Sequence, residues 1–300
     1  MKYTKKALSI EQQIALLKSR GLIIDDIQNA RHYLSQISYY RLRAYTYPFQ
    51  NNDNQNHKFI KKLTFSDIID LYIFDRKLRL FIFDAIEKIE IALRTKIIYE
   101  FSLSYGSHWY EDEKLYRNSH FFQKNLESIR KEIDRSNERF IEHYKKKYSE
   151  PEYPPSWMSI EVISIGSLSK LYSNLKSGKE KKRIAKSLGL PNHIFLESWM
   201  HSFASLRNFC AHHSRVWNRR FTIKPKLPND TTYDFIKNKS LNINKLYAQL
   251  CCIKYVIQII DPSNKFSTDL KELLGTSSLI DIKEMGFPPD WEDEKIWNNM

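Results

Sequence analysis

Ile82, Ile86, Ile89, Leu93 and Ile97 recur at intervals of four, three, four and four residues, a spacing that puts all five on one stripe of an α-helix. A strand would divide them between two faces. The stripe follows Thr64, where TFSD has the form of a capping box, and runs toward Gly106. A second stripe, Leu246, Leu250, Ile253, Ile257 and Ile260, alternates steps of four and three and stops at Asp261-Pro262. That helix should lie inside a bundle. With only seven glycines in 300 residues and little strict alternation of apolar residues, the expected fold class is all-α.

Between the two stripes the sequence predicts a charged helix around 121–148, a proline-rich connection, SEPEYPPS, at 149–156, and a helix opened by Pro191 that passes through Trp199 to about His212. The segments flanking the connection are both helical, and neither reads as a closed unit. The expected organisation is therefore an N-terminal helical extension at 1–62, a helical core at 63–262 and an acidic C-terminal segment at 263–300 that packs on the core. NNDNQNH at 51–57 and PKLPNDTTYD at 225–234 read as surface loops. Trp157, Trp199 and Trp217 read as packing residues.

The net charge is +13 and the pI about 9.4, which favours a polyanionic partner, with RNA, DNA and an anionic membrane surface all open on charge alone. The final stretch, DIKEMGFPPDWEDEKIWNNM, is acidic and could lie over a basic surface. Three cysteines, Cys210, Cys251 and Cys252, show no CxxC spacing, so neither a disulfide framework nor a zinc cluster is indicated. No cofactor or metal is expected. The amino terminus has no apolar stretch behind its positive charge, and no later run approaches the roughly 18 uncharged residues of a membrane span. The expectation is an unexported, cytoplasmic protein that does not enter the membrane.

The most informative segment is LRNFCAHHSRVWNRR at 206–220, in which Arg207, Asn208 and His212 form R-N-x-x-x-H near a helix end. RNA can be cut without metal if a base takes the proton of the 2′-hydroxyl, an acid protonates the leaving oxygen and a cation stabilises the phosphate. Imidazole, with an unperturbed pKa of about 6.5, suits the proton transfers, and a guanidinium fork suits the phosphate. Asn208 could orient either. On a straight helix Arg207 and His212 stand roughly 140° apart, so the helix must end or distort there, or a two-fold dimer must bring two motifs together. The dimer is favoured. The competing reading makes Phe209 and Cys210 core residues and leaves Arg207 and His212 to salt bridges or helix capping.

Other residues offer support. Glu90 and Arg94 are four apart and could position the active helix or form an ordinary ion pair. His213 points about 100° from His212 and reads as packing or capping, or as a second catalyst. Arg215, Arg219 and Arg220 could hold an RNA backbone, as could Lys181, Lys182 and Arg183 within KSGKEKKRIAK and the triplet Lys145-Lys146-Lys147; the alternative in each case is a solvated face. Arg41 and Arg43 sit among aromatics in YYRLRAYTYPF, either a stacking platform for single-stranded RNA or part of the core.

Several ordered blocks carry a resemblance: ISYYRLRAY at 37–45, LTFSDIIDLYIFDRKLR at 63–79, IEKIEIALRTKI at 86–97, YPPSWMSIEVISIGSLSKLY at 153–172, SWMHSFASLRNFCAHHSRVWNR at 198–219 and MGFPPDW at 285–291. In these the chain resembles the Abi family of bacterial abortive-infection proteins, the AbiD/AbiF-like group within the HEPN superfamily of helical RNases. The resemblance implies a HEPN-like helical bundle and a homodimeric, metal-independent endoribonuclease that leaves 2′,3′-cyclic phosphate and 5′-hydroxyl ends. It further implies a toxin that arrests growth during phage attack and is restrained by a cognate antitoxin, in some relatives a small structured RNA. HEPN proteins that bind RNA without cutting it supply the alternative function.

Overall fold

The computed structural model describes all residues except 1, 3–5, 55, 239–240, 277–278 and 299–300. Among the described residues there are helices and three isolated β-bridges but no β-strand, so the fold is all-α. The helices are α1 (Ile10–Ser19), α2 (Ile27–Gln36), α3 (Tyr39–Thr46), α4 (Phe65–Tyr105), α5 (Ser119–Arg135), α6 (Arg139–Lys147), α7 (Ser156–Ser159), α8 (Ile165–Asn174), α9 (Lys179–Ser187), α10 (His193–Ala211), α11 (Leu246–Ile260), α12 (Phe266–Leu274) and α13 (Lys295–Asn298). None of them is long and apolar enough to cross a membrane.

The chain divides into two compact units, residues 1–79 with 271–281 and residues 80–270 with 282–300. The dividing lines fall inside α4 and α12. In the first unit, side chains cap each short helix: Ser9 and Gln12 form a reciprocal box on α1, Asp26 caps α2 and Ser38 caps α3. The start of α4 is built as its sequence implies. Thr64 N–H donates to Asp67 Oδ2 at 2.7 Å, and Asp67 N–H donates to Thr64 Oγ1 at 3.1 Å.

This unit also buries a polar triad. Tyr45 donates to Asp75 Oδ2 at 2.7 Å, and Arg79 donates both to that oxygen and to the Tyr45 hydroxyl, the latter at 3.2 Å. Burial, followed by the charge of Asp75, pushes the Tyr45 hydroxyl far above its ordinary range. It therefore serves as a neutral donor. The aromatic segment of α3 is thus partly core.

In the second unit, Ile82, Ile86, Ile89, Leu93 and Ile97 are all buried on one side of α4, which ends at Gly106 with φ +87°. α8 packs against both α5 and α10. α11 is buried on every side from Leu246 to Ile257, so it is the central helix. The charged helix expected over 121–148 is instead two, α5 and α6. Ser136 takes an extended conformation and its hydroxyl accepts from Glu138 N–H at 3.3 Å, a local bond that competes with helix continuation.

The C-terminal stretch is anchored by apolar burial and by Glu294, whose carboxylate accepts from Lys237 N–H at 2.8 Å and Asn238 N–H at 3.0 Å. Met285, Phe287, Trp291, Ile296 and Trp297 are buried, the Phe287 ring lies 4.7 Å from Tyr247, and Trp297 Nε1 donates to the Tyr247 hydroxyl at 3.1 Å. Trp199 and Trp217 are core residues as expected. Trp157, however, is 48% exposed, because it sits in the one-turn helix α7 with its side chain outward.

Candidate functional site

The last turns of α10 divide their residues between core and solvent. Trp199, Phe203, Leu206 and Cys210 face inward, which leaves Arg207 half-buried and Asn208 exposed on the opposite side. The helix ends within the motif, one of the solutions its spacing left open. His212 is the C-cap, with φ −86° and ψ 12°, and His213 follows in the left-handed region at φ +54°. His213 N–H donates to Cys210 O at 3.1 Å and Ser214 N–H to Phe209 O at 2.9 Å, the bond pair of a Schellman termination. His212 is exposed beside this turn.

A termination of this kind usually places glycine where His213 stands, because a side chain is strained there. Relief of that strain, less the chain entropy glycine adds on unfolding, should make His213→Gly more stable by about 0.5–1 kcal/mol. His213→Val should be less stable, since β-branching worsens a positive φ. Thermal unfolding checks both.

Arg207 faces a groove of about 310 Å³ lined by Phe83, Glu87, Glu90, Ile91, Arg94, Glu161 and Arg207. Its guanidinium carbon lies 5.2 Å from the centre of the Phe83 ring, a cation–π contact that holds the fork over the groove wall. Arg94 forms the floor. It is buried, donates to Ile160 O and, at 3.0 Å, to Ile163 O, and its other Nη donates to Glu90 Oε1 at 2.6 Å. Glu161 Oε2 lies 3.8 Å from Arg94 Nε. One guanidinium therefore ties α4 to the turn at 160–163. The Glu90–Arg94 pair is more than a surface ion pair, because its guanidinium is buried and also bound to two backbone carbonyls.

His212 is not among the residues lining this groove. Within one chain the groove thus gathers Arg207, Glu90 and Arg94, while Asn208 and His212 stand exposed at the adjoining helix end. Phe83, Glu87 and Glu161 were not singled out in the sequence. Phe83, Glu87, Ile91 and Arg94 do follow helical spacing on α4, beside the buried stripe, so that row was readable in principle. Glu161 lies in a turn and carried no such signal.

A family model for Abi-like proteins matches residues 32–218, more than half of the chain, and its span includes Arg207, Asn208 and His212. The chain belongs to the Abi-like family. No curated protein and no solved structure gives a match. Membership points to abortive infection as the setting in which this Abi-like protein works.

The remaining basic residues of this Abi-like chain have differing fates. Arg219 stacks on Phe209, 4.1 Å from its centre, and donates to Arg215 O at 2.7 Å; Arg215 lies 5.9 Å from the Trp217 ring and Arg220 is exposed. This arginine-rich turn is ordered by aromatic rings next to His212. Lys182 is exposed, and Arg183 is bound to Glu100 at 2.5 Å. The expectation of phosphate contact is corrected for Lys181. Its side chain is fully buried and donates to Tyr172 O, Leu175 O and Glu197 Oε1 at 2.8, 3.0 and 2.5 Å, so all three protons are used. Burial pushes this ammonium down to about 8, against the opposing pull of Glu197.

In the first unit, Arg41 is exposed, and Arg43 lies 6.0 Å from the Tyr47 ring and 3.4 Å from His57 Nε2. Tyr40 and Tyr47 are exposed rings, whereas Tyr45 is buried in the Asp75 triad.

Proposed function

We propose that this Abi-like protein is a metal-independent endoribonuclease of the HEPN type, an abortive-infection toxin that cleaves RNA and is restrained by a cognate antitoxin, for which a small structured RNA is the first candidate. The observation that carries this reading is the end of α10, where Arg207 overhangs a groove while Asn208 and His212 are exposed at the adjoining cap. Arg207 would hold the scissile phosphate. His212 would take the proton of the 2′-hydroxyl, the 2′-oxygen would bond to phosphorus, and the bond from phosphorus to the 5′-oxygen would break with a proton delivered to that oxygen. The ends left are a 2′,3′-cyclic phosphate and a 5′-hydroxyl.

The charge of the groove bears on assembly. Glu87, Glu90 and Glu161 face Arg94 and Arg207, so three carboxylates against two guanidiniums leave a formal −1 in a place meant to accept phosphate. Cations from a second copy would reverse that sign, which supports a homodimer with a composite site. Mixing inactive Arg207→Ala and His212→Ala chains tests it. If one protomer supplies the guanidinium and its partner the imidazole, random reassortment should restore about one quarter of wild-type cleavage. Absence of any recovery, with exchange of subunits verified, would exclude the shared site.

The arginine-rich turn at Arg215, Arg219 and Arg220 favours one other reading, an RNA-binding protein without catalysis. Such a protein would bind RNA with steep salt dependence and leave it intact.

A further inference from the structure

α11 buries twelve consecutive side chains, and one of them is Lys254, 2% exposed. Among the described residues no carboxylate lies within ion-pair distance of it. Its ammonium reaches Asn264 Oδ1 at 3.4 Å, longer than an ordinary hydrogen bond, and that oxygen already accepts from Phe266 N–H at 3.2 Å. One turn further along α11, Gln258 Oε1 is buried without a hydrogen-bond partner. An ammonium short of acceptors and a carbonyl short of donors are both costly to bury. They share one face of the helix, four residues apart.

Both line a cavity of about 490 Å³ that opens to solvent and is lined also by Thr231, Tyr233 and Asn264. The wall is firmly built. Thr232 N–H donates to Gly189 O at 3.0 Å, the Tyr255 hydroxyl donates to the same oxygen at 2.9 Å, and the Thr231 hydroxyl donates to Tyr233 O at 2.8 Å. Gly189, at φ +63°, admits this approach only because it lacks a Cβ, which would fall 2.6 Å from both Tyr233 and Tyr255. Asn264 is oriented by its own amide, which donates to Asp261 O at 2.7 Å. Asp234 also lines the cavity, but it is exposed, so solvent screens its charge more than that of Lys254.

We infer that this cavity binds a phosphorylated sugar or mononucleotide, its phosphate paired with Lys254 and a sugar hydroxyl donating to Gln258. Phosphate supplies the acceptors that the ammonium lacks, and the hydroxyl supplies the missing donor. The volume accommodates such a ligand, and the site shares no residue with the groove at Arg207. Burial alone already pushes the Lys254 ammonium down from its ordinary range, and a bound phosphate would oppose that shift.

Titration calorimetry of the full chain with adenosine 5′-monophosphate, ribose 5-phosphate, inorganic phosphate and adenosine tests the inference. The two sugar phosphates should bind and adenosine should not. Lys254→Met should weaken both by roughly 10- to 100-fold, the effect of losing a charged hydrogen bond, while melting no lower than wild type because a buried charge is gone. Gln258→Leu should weaken ribose 5-phosphate more than inorganic phosphate, and it carries the test if Lys254→Met does not fold. No binding by any probe, or equal binding to wild type and Lys254→Met, would overturn the site. Equal affinity for inorganic phosphate and ribose 5-phosphate would overturn the sugar assignment.

Discussion

His212→Ala is expected to lower the rate of RNA cleavage by about 10²- to 10⁴-fold, the contribution of a positioned acid or base, and to leave the fold unchanged. The two halves of that expectation rest on different observations. The imidazole is exposed at the end of α10, so its removal opens no cavity. The turn it occupies is held by backbone bonds, from His212 N–H to Asn208 O at 2.9 Å and from the two residues that follow, and alanine keeps all of them. Cleavage assays on RNA paired with thermal unfolding separate the outcomes. A loss of rate accompanied by a lower melting temperature would mean that His212 acts through the turn and not on the substrate.

Arg94→Ala should have the largest effect on stability, about 3–5 kcal/mol, as expected when one partner of a buried ion pair is removed. The substitution strips Ile160 O and Ile163 O of a donor and leaves Glu90, whose side chain is 15% exposed, without its cation. Arg94→Lys should recover only part of this. A single ammonium cannot reproduce a planar fork that binds two carbonyls with one nitrogen and a carboxylate with the other. Denaturant unfolding gives the magnitude directly. A cost near 1 kcal/mol for Arg94→Ala would show that the pair is no stronger than an exposed one.

The helices were readable in the sequence wherever one physical signal dominated. The buried stripe of α4, its Thr64–Asp67 box and its end at Gly106 follow from periodicity and capping, and so does the burial of α11. The break between α5 and α6 was missed because Ser136 and Asn137 interrupt an otherwise continuous charged, helix-favouring run. Position 157 was misjudged because residue type does not report which way a one-turn helix faces. At the site, the motif singled out Arg207, Asn208 and His212, and their interval of five residues left a helix end, a distortion or a two-fold dimer open; α10 does end there. The burial of Lys181 could not be read, since KSGKEKKRIAK looks solvated until Tyr172, Leu175 and Glu197 are brought around one ammonium. Glu161 reaches Arg94 from a distant turn, and no local pattern encodes such a contact.

The central proposal is that the motif cuts RNA without metal. Purified protein, freed of any bound RNA and incubated with cellular RNA in excess EDTA, should produce fragments ending in 2′,3′-cyclic phosphate and 5′-hydroxyl, and His212→Ala should produce almost none. Intact RNA, 5′-phosphate ends, or the same fragments from His212→Ala would contradict it.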